Sequence, residues 1–135
     1  MLTFAGVAHP WLCDTMGHLN VRHYAAMFDD ASFQLLGRLT GVKADAAIGW
    51  ADVRHEVEFR HETPAGTLLA IHSGLVRVGR SSLTYRHTMT GSVTDELHAV
   101  STVTSVRFDL VARRSVALDP ETRSRAEGLM PAAHA

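Results

Sequence analysis

Cysteine is nearly missing from this chain: Cys13 stands alone among 135 residues. A single thiol closes no intramolecular disulfide, and without a Cys-x-x-Cys pair neither a thiolate zinc site nor dithiol chemistry has its ligands. A reducing, cytoplasmic setting is the expectation. Proline is scarce, with four residues, and no apolar run approaches the roughly twenty residues that a membrane helix needs. The apolar start, Met1 to Ala8, has no basic flank and meets His9-Pro10 at once, so it reads as a strand and not as a signal. Charge of one sign is not in excess either. Thirteen Lys and Arg face fourteen Asp and Glu, which leaves no broad positive field for nucleic acid or an anionic membrane. A small-molecule partner is the better expectation.

What is present suits one folded domain over residues 1–135, with 46% hydrophobic and 20% charged residues and no repeat or linker. A chain of this size buries roughly two-thirds of its unfolded surface. The segment His9 to Asn20 keeps neither a period of 2 nor one of 3.6 and reads as a long loop. From Val21, residues Tyr24, Met27, Phe28, Ala31, Leu35, Leu36 and Leu39 fall on one helical face, with Asn20 as N-cap and Asp29 and Asp30 off the stripe. Thr40 to Trp50 is aperiodic. Val53, His55, Val57 and Phe59 then alternate with charged residues, which predicts a half-buried strand. Pro64-Ala65-Gly66 turns into a strand over Thr67 to Val78, and Gly79-Arg80 reverses it into Ser82 to Thr90, where Leu83, Tyr85, His87 and Met89 share a face. Leu97 to Phe108 and a short strand near Ser115 to Leu118 follow. Asp119-Pro120 caps a brief helix ending near Gly128, and a frayed tail begins at about residue 129. A single apolar helix and one curved antiparallel sheet bury each other's faces, so the class is α+β, with five or six strands. Uncovered sheet edges favour a homodimer or homotetramer.

Polar function concentrates where that loop enters the helix. Asp14 stands three residues before Gly17, and His18 and Asn20 follow. Gly17 admits positive φ or a close ligand approach. The first helical turn offers unsatisfied N–H groups and the positive end of its dipole, which polarise a carbonyl and hold an oxyanion, while a loop carboxylate attacks or delivers water. The arrangement suits acyl transfer. An Asp at such a place also serves as a plain turn or cap residue.

Asp14-Thr15-Met16-Gly17-His18-Leu19-Asn20-Val21-Arg22-His23-Tyr24, continuing through Met27-Phe28-Asp29-Asp30-Ala31, resembles the active-site loop and helix of hot-dog fold acyl-CoA thioesterases of the 4-hydroxybenzoyl-CoA thioesterase type. The resemblance runs on through Val53 to Phe59, Pro64-Ala65-Gly66 and Val78-Gly79-Arg80-Ser81-Ser82, to about Leu118. It implies a hot-dog fold and hydrolysis of an acyl-CoA to free acid and CoA, with no metal and no cofactor beyond the CoA of the substrate. Asp14 would be nucleophile or general base, and the Val21 N–H the donor to the thioester oxygen. Asn20 and His18 would fix the loop or contact the acyl end. Gly17 and Tyr24 would face substrate, and Gly79, Arg80, Ser81 and Ser82 would lie near pantetheine or nucleotide at a dimer interface. Many relatives carry a second Asp two places before the catalytic one, where this chain has Leu12.

Plainer roles stand beside these. His18 also serves as a loop stabiliser, Cys13 as a small packing residue, Asp29 and Asp30 as solvated groups, and Tyr24, Met27 and Phe28 as core. Nine histidines supply no triad at metal-ligand spacing. Most of Arg77, Arg80, Arg86, Arg107, Arg113 and Arg114 would be solvated strand residues. Two rival functions remain: a hot-dog enoyl-CoA hydratase or dehydratase, whose Asp-to-His spacing of five differs from Asp14 to His18, and a noncatalytic acyl-CoA binding module.

Overall fold

Asn20 opens the one long helix as expected: its Oδ1 accepts from the Arg22 N–H at 3.1 Å and its carbonyl from the His23 N–H at 2.9 Å. The computed structural model describes residues 1–41 and 47–131. Its elements are β1 (Leu2–Val7), α1 (Val21–Thr40), β2 (Ile48–Phe59), β3 (Leu68–Val78), β4 (Ser82–Gly91), β5 (Leu97–Asp109), β6 (Arg114–Ser115) and α2 (Pro120–Glu127). The sheet order is β1-β3-β4-β5-β2, with β6 on β5. This is the hot-dog fold, a long helix with an antiparallel sheet. Part of the aperiodic stretch, residues 42–46, and most of the frayed tail, residues 132–135, lie outside the described residues.

Three expectations need correction. The segment before Val21 is not all loop, because Pro10–Leu12 form a 3-10 turn and residues 13 to 19 a tight hairpin. Strand β2 starts at Ile48, inside the stretch read as aperiodic, and it is not half-buried: Val53 and Phe59 are 62% and 51% exposed. It is the last strand in the sheet order, hydrogen-bonded on one side only, so its alternation does not translate into burial within this chain. The short strand is only Arg114–Ser115, paired to Asp109 and Phe108.

Contacts divide the chain into two units, with α1, β2, β3, β4 and β5 each contributing to both. The first comprises Met1–Leu35, Val57–Ser73 and His87–Ser101. Its core gathers Tyr24, Met27, Phe28 and Ala31 from α1 with Leu69 and Ile71, Met89 and Ala99, and Phe4, Leu12 and Val57 pack against it. A buried polar chain runs through this unit. Thr3 donates to the Ile71 carbonyl and so accepts from Ser73; Ser73 accepts from His87 Nδ1, and His87 Nε2 accepts from Ser32 at 2.8 Å. Each link removes the desolvation penalty of a buried polar group.

The second unit comprises Leu36–Glu56, Gly74–Arg86 and Thr102–Ala135. It buries Leu36, Leu39, Leu75, Leu83, Tyr85, Val103, Leu118 and Ala126. Gly41, at φ +80°, ends α1 in the left-handed conformation that glycine adopts without strain, and Arg125 donates to the Leu39 carbonyl at 3.1 Å. The Tyr85 hydroxyl donates to Ser105, which donates to Asp52 at 2.6 Å. Asp119 caps α2 by accepting from the Thr122 N–H at 2.8 Å, with Pro120 following. That bond, the largest cause, holds the Asp119 carboxyl below the ordinary range.

Candidate active site

Asp at the first place and Gly at the fourth are the residues a type I turn with a following left-handed position calls for. Asp14 to Gly17 form that turn: the Gly17 N–H donates to the Asp14 carbonyl at 3.0 Å, the Asp14 N–H to the His18 carbonyl at 2.9 Å, and Gly17 has φ +79°. The Asp14 side chain joins in. Its Oδ1 accepts from the Met16 N–H at 2.9 Å and more weakly from the His18 N–H at 3.3 Å. Asp14 is therefore a turn residue through one carboxylate oxygen, while Oδ2 has no partner among the described residues. One carboxylate oxygen is thus tethered to the turn and the other left open.

Two more residues carry the chain from that turn to α1. Leu19 sinks into the core, and the Asn20 N–H donates to the Leu12 carbonyl at 3.0 Å, so helix and turn share one anchor. Val21 then stands first in α1. Among the described residues no acceptor takes its N–H, as befits the first donors of a helix. The open carboxylate oxygen and the open N–H lie at the two ends of one short, well-bonded segment.

The turn is clipped from outside by residues 62–67. The Leu19 N–H donates to the Thr63 carbonyl at 2.8 Å, the Ala65 N–H to the Gly17 carbonyl at 3.0 Å, and the Gly66 N–H to the Ala8 carbonyl at 2.8 Å. His18 Nε2 lies 3.4 Å from a Glu62 carboxylate oxygen, with the imidazole half-buried. His18 thus braces the turn, in line with the plainer of its two roles. Cys13 directs its sulfur at the His9 carbonyl, 3.4 Å away.

Tyr24 takes the plainer of its two expected places, in the core. Its side chain is buried and its hydroxyl donates to Thr63 Oγ1 at 2.7 Å. Burial, first, pushes the phenol above its ordinary range, against the opposing pull of the Thr63 hydrogen bond and with a smaller push from the Asp14 and Glu62 carboxylates. It stays a donor. Thr63 itself is fully buried and touches His98, also buried. Sequence reasoning missed both: Thr63 reads as a turn residue before Pro64, and no local pattern marks it.

Asp14, Gly17, His18, Asn20, Val21 and Tyr24 are thus brought together in the first unit. Gly79, Arg80, Ser81 and Ser82 form the β3–β4 reversal, in the second. There the Gly79 N–H donates to the Ser82 carbonyl at 2.8 Å, and a Cβ at Gly79 would stand 2.6 Å from Ser82 Oγ. Arg123 from α2 donates to the Gly79 carbonyl at 2.8 Å and holds the reversal from behind, leaving the Arg80 side chain exposed. Trp11 is 75% exposed and stacked on His9 at 4.3 Å, and Met16 and Val21 are exposed as well. Among the described residues no three His, Cys, Asp or Glu side chains are grouped to hold a metal, and no helix is long and apolar enough to cross a membrane.

Residues 8–126 match the sequence profile of the thioesterase-like superfamily. No curated protein matches the chain. Solved structures do. A thioesterase superfamily protein from Jannaschia sp. CCS1 superposes with a TM-score of 0.82 at 21% identity, covering 96% of this chain and 94% of its own. The protein SAV2348 from Staphylococcus aureus, solved in complex with CoA, gives 0.87 at 13% identity over 99% and 89%. Slr0204 from Synechocystis, a 1,4-dihydroxy-2-naphthoyl-CoA thioesterase, gives 0.80 at 14% identity over 95% and 96%.

Proposed function

The chain belongs to the thioesterase-like superfamily and is a thioester hydrolase, and from that premise we propose that it cleaves acyl-CoA thioesters with Asp14 as the reacting carboxylate. One observation carries the reading: the Asp14 turn leaves Oδ2 open at one end of a segment whose other end is the unengaged Val21 N–H. The likeness to a CoA-bound structure and to an aryl-CoA thioesterase supports CoA as the thiol.

The chemistry follows from that pair. The Val21 N–H, at the positive end of α1, donates to the thioester oxygen and to the oxyanion that forms when the carbonyl carbon is attacked. Asp14 Oδ2 either attacks that carbon itself or takes a proton from the water that does. Collapse of the tetrahedral intermediate breaks the C–S bond. When Asp14 acts as base, it passes the proton taken from water to the departing thiolate; when it attacks, the mixed anhydride left on Asp14 is hydrolysed by water, which gives its oxygen to the free acid and a proton to the thiolate. Gly17 keeps the turn free of a side chain, Asn20 and His18 hold its shape, and the Gly79-Arg80-Ser81-Ser82 reversal serves the pantetheine and phosphates of CoA, with Arg80 as the phosphate partner. No cofactor beyond substrate CoA is required. The working unit is a cytoplasmic homodimer or homotetramer, a reading supported by the uncovered apolar residues of the edge strand β2.

Free-thiol release across acyl-CoAs of graded length and polarity tests this. A hydrolase frees CoA from at least one saturated acyl-CoA. A hydratase leaves every saturated thioester intact, and a binding module holds ligand without release; either result overturns the proposal.

A further inference from the structure

Thr63 is the residue that grips both the Asp14 turn and α1. Its carbonyl accepts from the Leu19 N–H at 2.8 Å, directly after the turn. Its Oγ1 accepts from the Tyr24 hydroxyl at 2.7 Å, one helical turn beyond Val21. A third contact fixes the side chain. His98 Nδ1 lies 3.1 Å from the Glu62 carbonyl, which can only accept, so Nδ1 carries the hydrogen and points it also at Thr63 Oγ1, 3.0 Å away. Thr63, Tyr24 and His98 are all buried, at 0%, 5% and 2% exposure, and Phe59 packs edge-on against the Tyr24 ring at 5.1 Å. Among the described residues His98 Nε2 is buried without a hydrogen-bond partner, so the hydrogen bonds that hold the imidazole are those of Nδ1.

We propose that Thr63 is a positioning residue, which, through Tyr24 on one side and Leu19 on the other, sets the Val21 N–H against the Asp14 carboxylate. The proposal rests on the reading of Asp14 and Val21 given above. Thr63 does not touch substrate. Its backbone carbonyl holds the turn whatever its side chain, whereas its hydroxyl holds the first turn of α1 through the Tyr24 hydroxyl. Removing the hydroxyl frees one partner and leaves the other held, and the loss falls on the interaction made in the transition state.

The test compares Thr63→Val, Thr63→Ser, Tyr24→Phe and the Thr63→Val/Tyr24→Phe double variant, using the panel acyl-CoA that the wild type hydrolyses fastest. Thr63→Val keeps shape and carbonyl and is expected to lower kcat about tenfold with KM within about twofold. Thr63→Ser should return kcat to within about twofold of wild type. Tyr24→Phe should match Thr63→Val, and the double variant should be no worse than either, because both remove the same bond. Should Thr63→Val fold poorly, Tyr24→Phe, which keeps the ring in place, carries the same expectation. Wild-type kcat in both single variants, a rise in KM alone, no rescue by Ser, or losses that multiply in the double variant would each overturn the positioning role. Asp14→Asn separates the two levels: turnover retained there removes the underlying site, whereas loss there with Thr63→Val unimpaired removes only the role of Thr63.

Discussion

The unit with the Asp14 turn holds seven Asp and Glu against two Lys and Arg, together with seven of the nine histidines; the other holds eleven Lys and Arg against seven Asp and Glu. Their net charges are therefore −5 and +4, with histidine neutral. The overall −1 is a cancellation, not an absence of field. Balanced composition excludes a globally basic protein, but it hides a unit whose exposed arginines, Arg77, Arg80, Arg86, Arg113 and Arg114, suit a polyanionic ligand arm. On the proposed reading, chemistry and charge-based recognition fall on different stretches of chain.

Variants should separate along the same line. The largest effect belongs to the acidic unit, where Asp14→Asn should lower kcat by about two to four orders of magnitude, read by thiol release, with the melting temperature held. Phe28→Ala in the same unit opens a cavity between α1 and its sheet partners and should cost about 3–5 kcal/mol in urea unfolding. In the basic unit Asp119→Ala should cost about 1 kcal/mol by loss of the α2 cap. Because its carboxyl is held below the ordinary range, the contribution is full above the unfolded value, roughly pH 4, and disappears as the pH falls through the lower folded value; unfolding curves of wild type and Asp119→Ala should converge in acid. Arg80→Ala should raise KM a few-fold, more at low salt than at high, and leave kcat unchanged. Cys13→Ser should be the mildest and stay fully active. An Arg80 variant that lost kcat, or an Asp14 variant that lost only affinity, would erase the distinction between the two units.

The helix and the middle strands were legible because their pattern is satisfied inside the chain. Tyr24 to Leu39 follow one helical face and are buried, and Leu83, Tyr85, His87 and Met89 alternate inward as an interior strand requires. Strand β2 carries an equally clear alternation and is exposed, since periodicity tells which residues share a face but not what covers it. At the site, Asp14, Gly17 and Asn20 were visible through turn and cap chemistry, although the hairpin they build was read as loop. Helical spacing places Tyr24 in the core but says nothing of where its hydroxyl ends. Thr63 meets Tyr24 from 39 positions away, and His98 meets Thr63 from 35, contacts between segments distant in sequence that no local pattern marks.

The central claim is that the carboxylate of Asp14 performs the hydrolysis. Single-turnover thiol release by Asp14→Asn, measured beside equilibrium binding of the same acyl-CoA, tests it most directly. The account predicts binding within about threefold of wild type and release slowed at least about a hundredfold. Release near the wild-type rate from a variant that binds normally would contradict it.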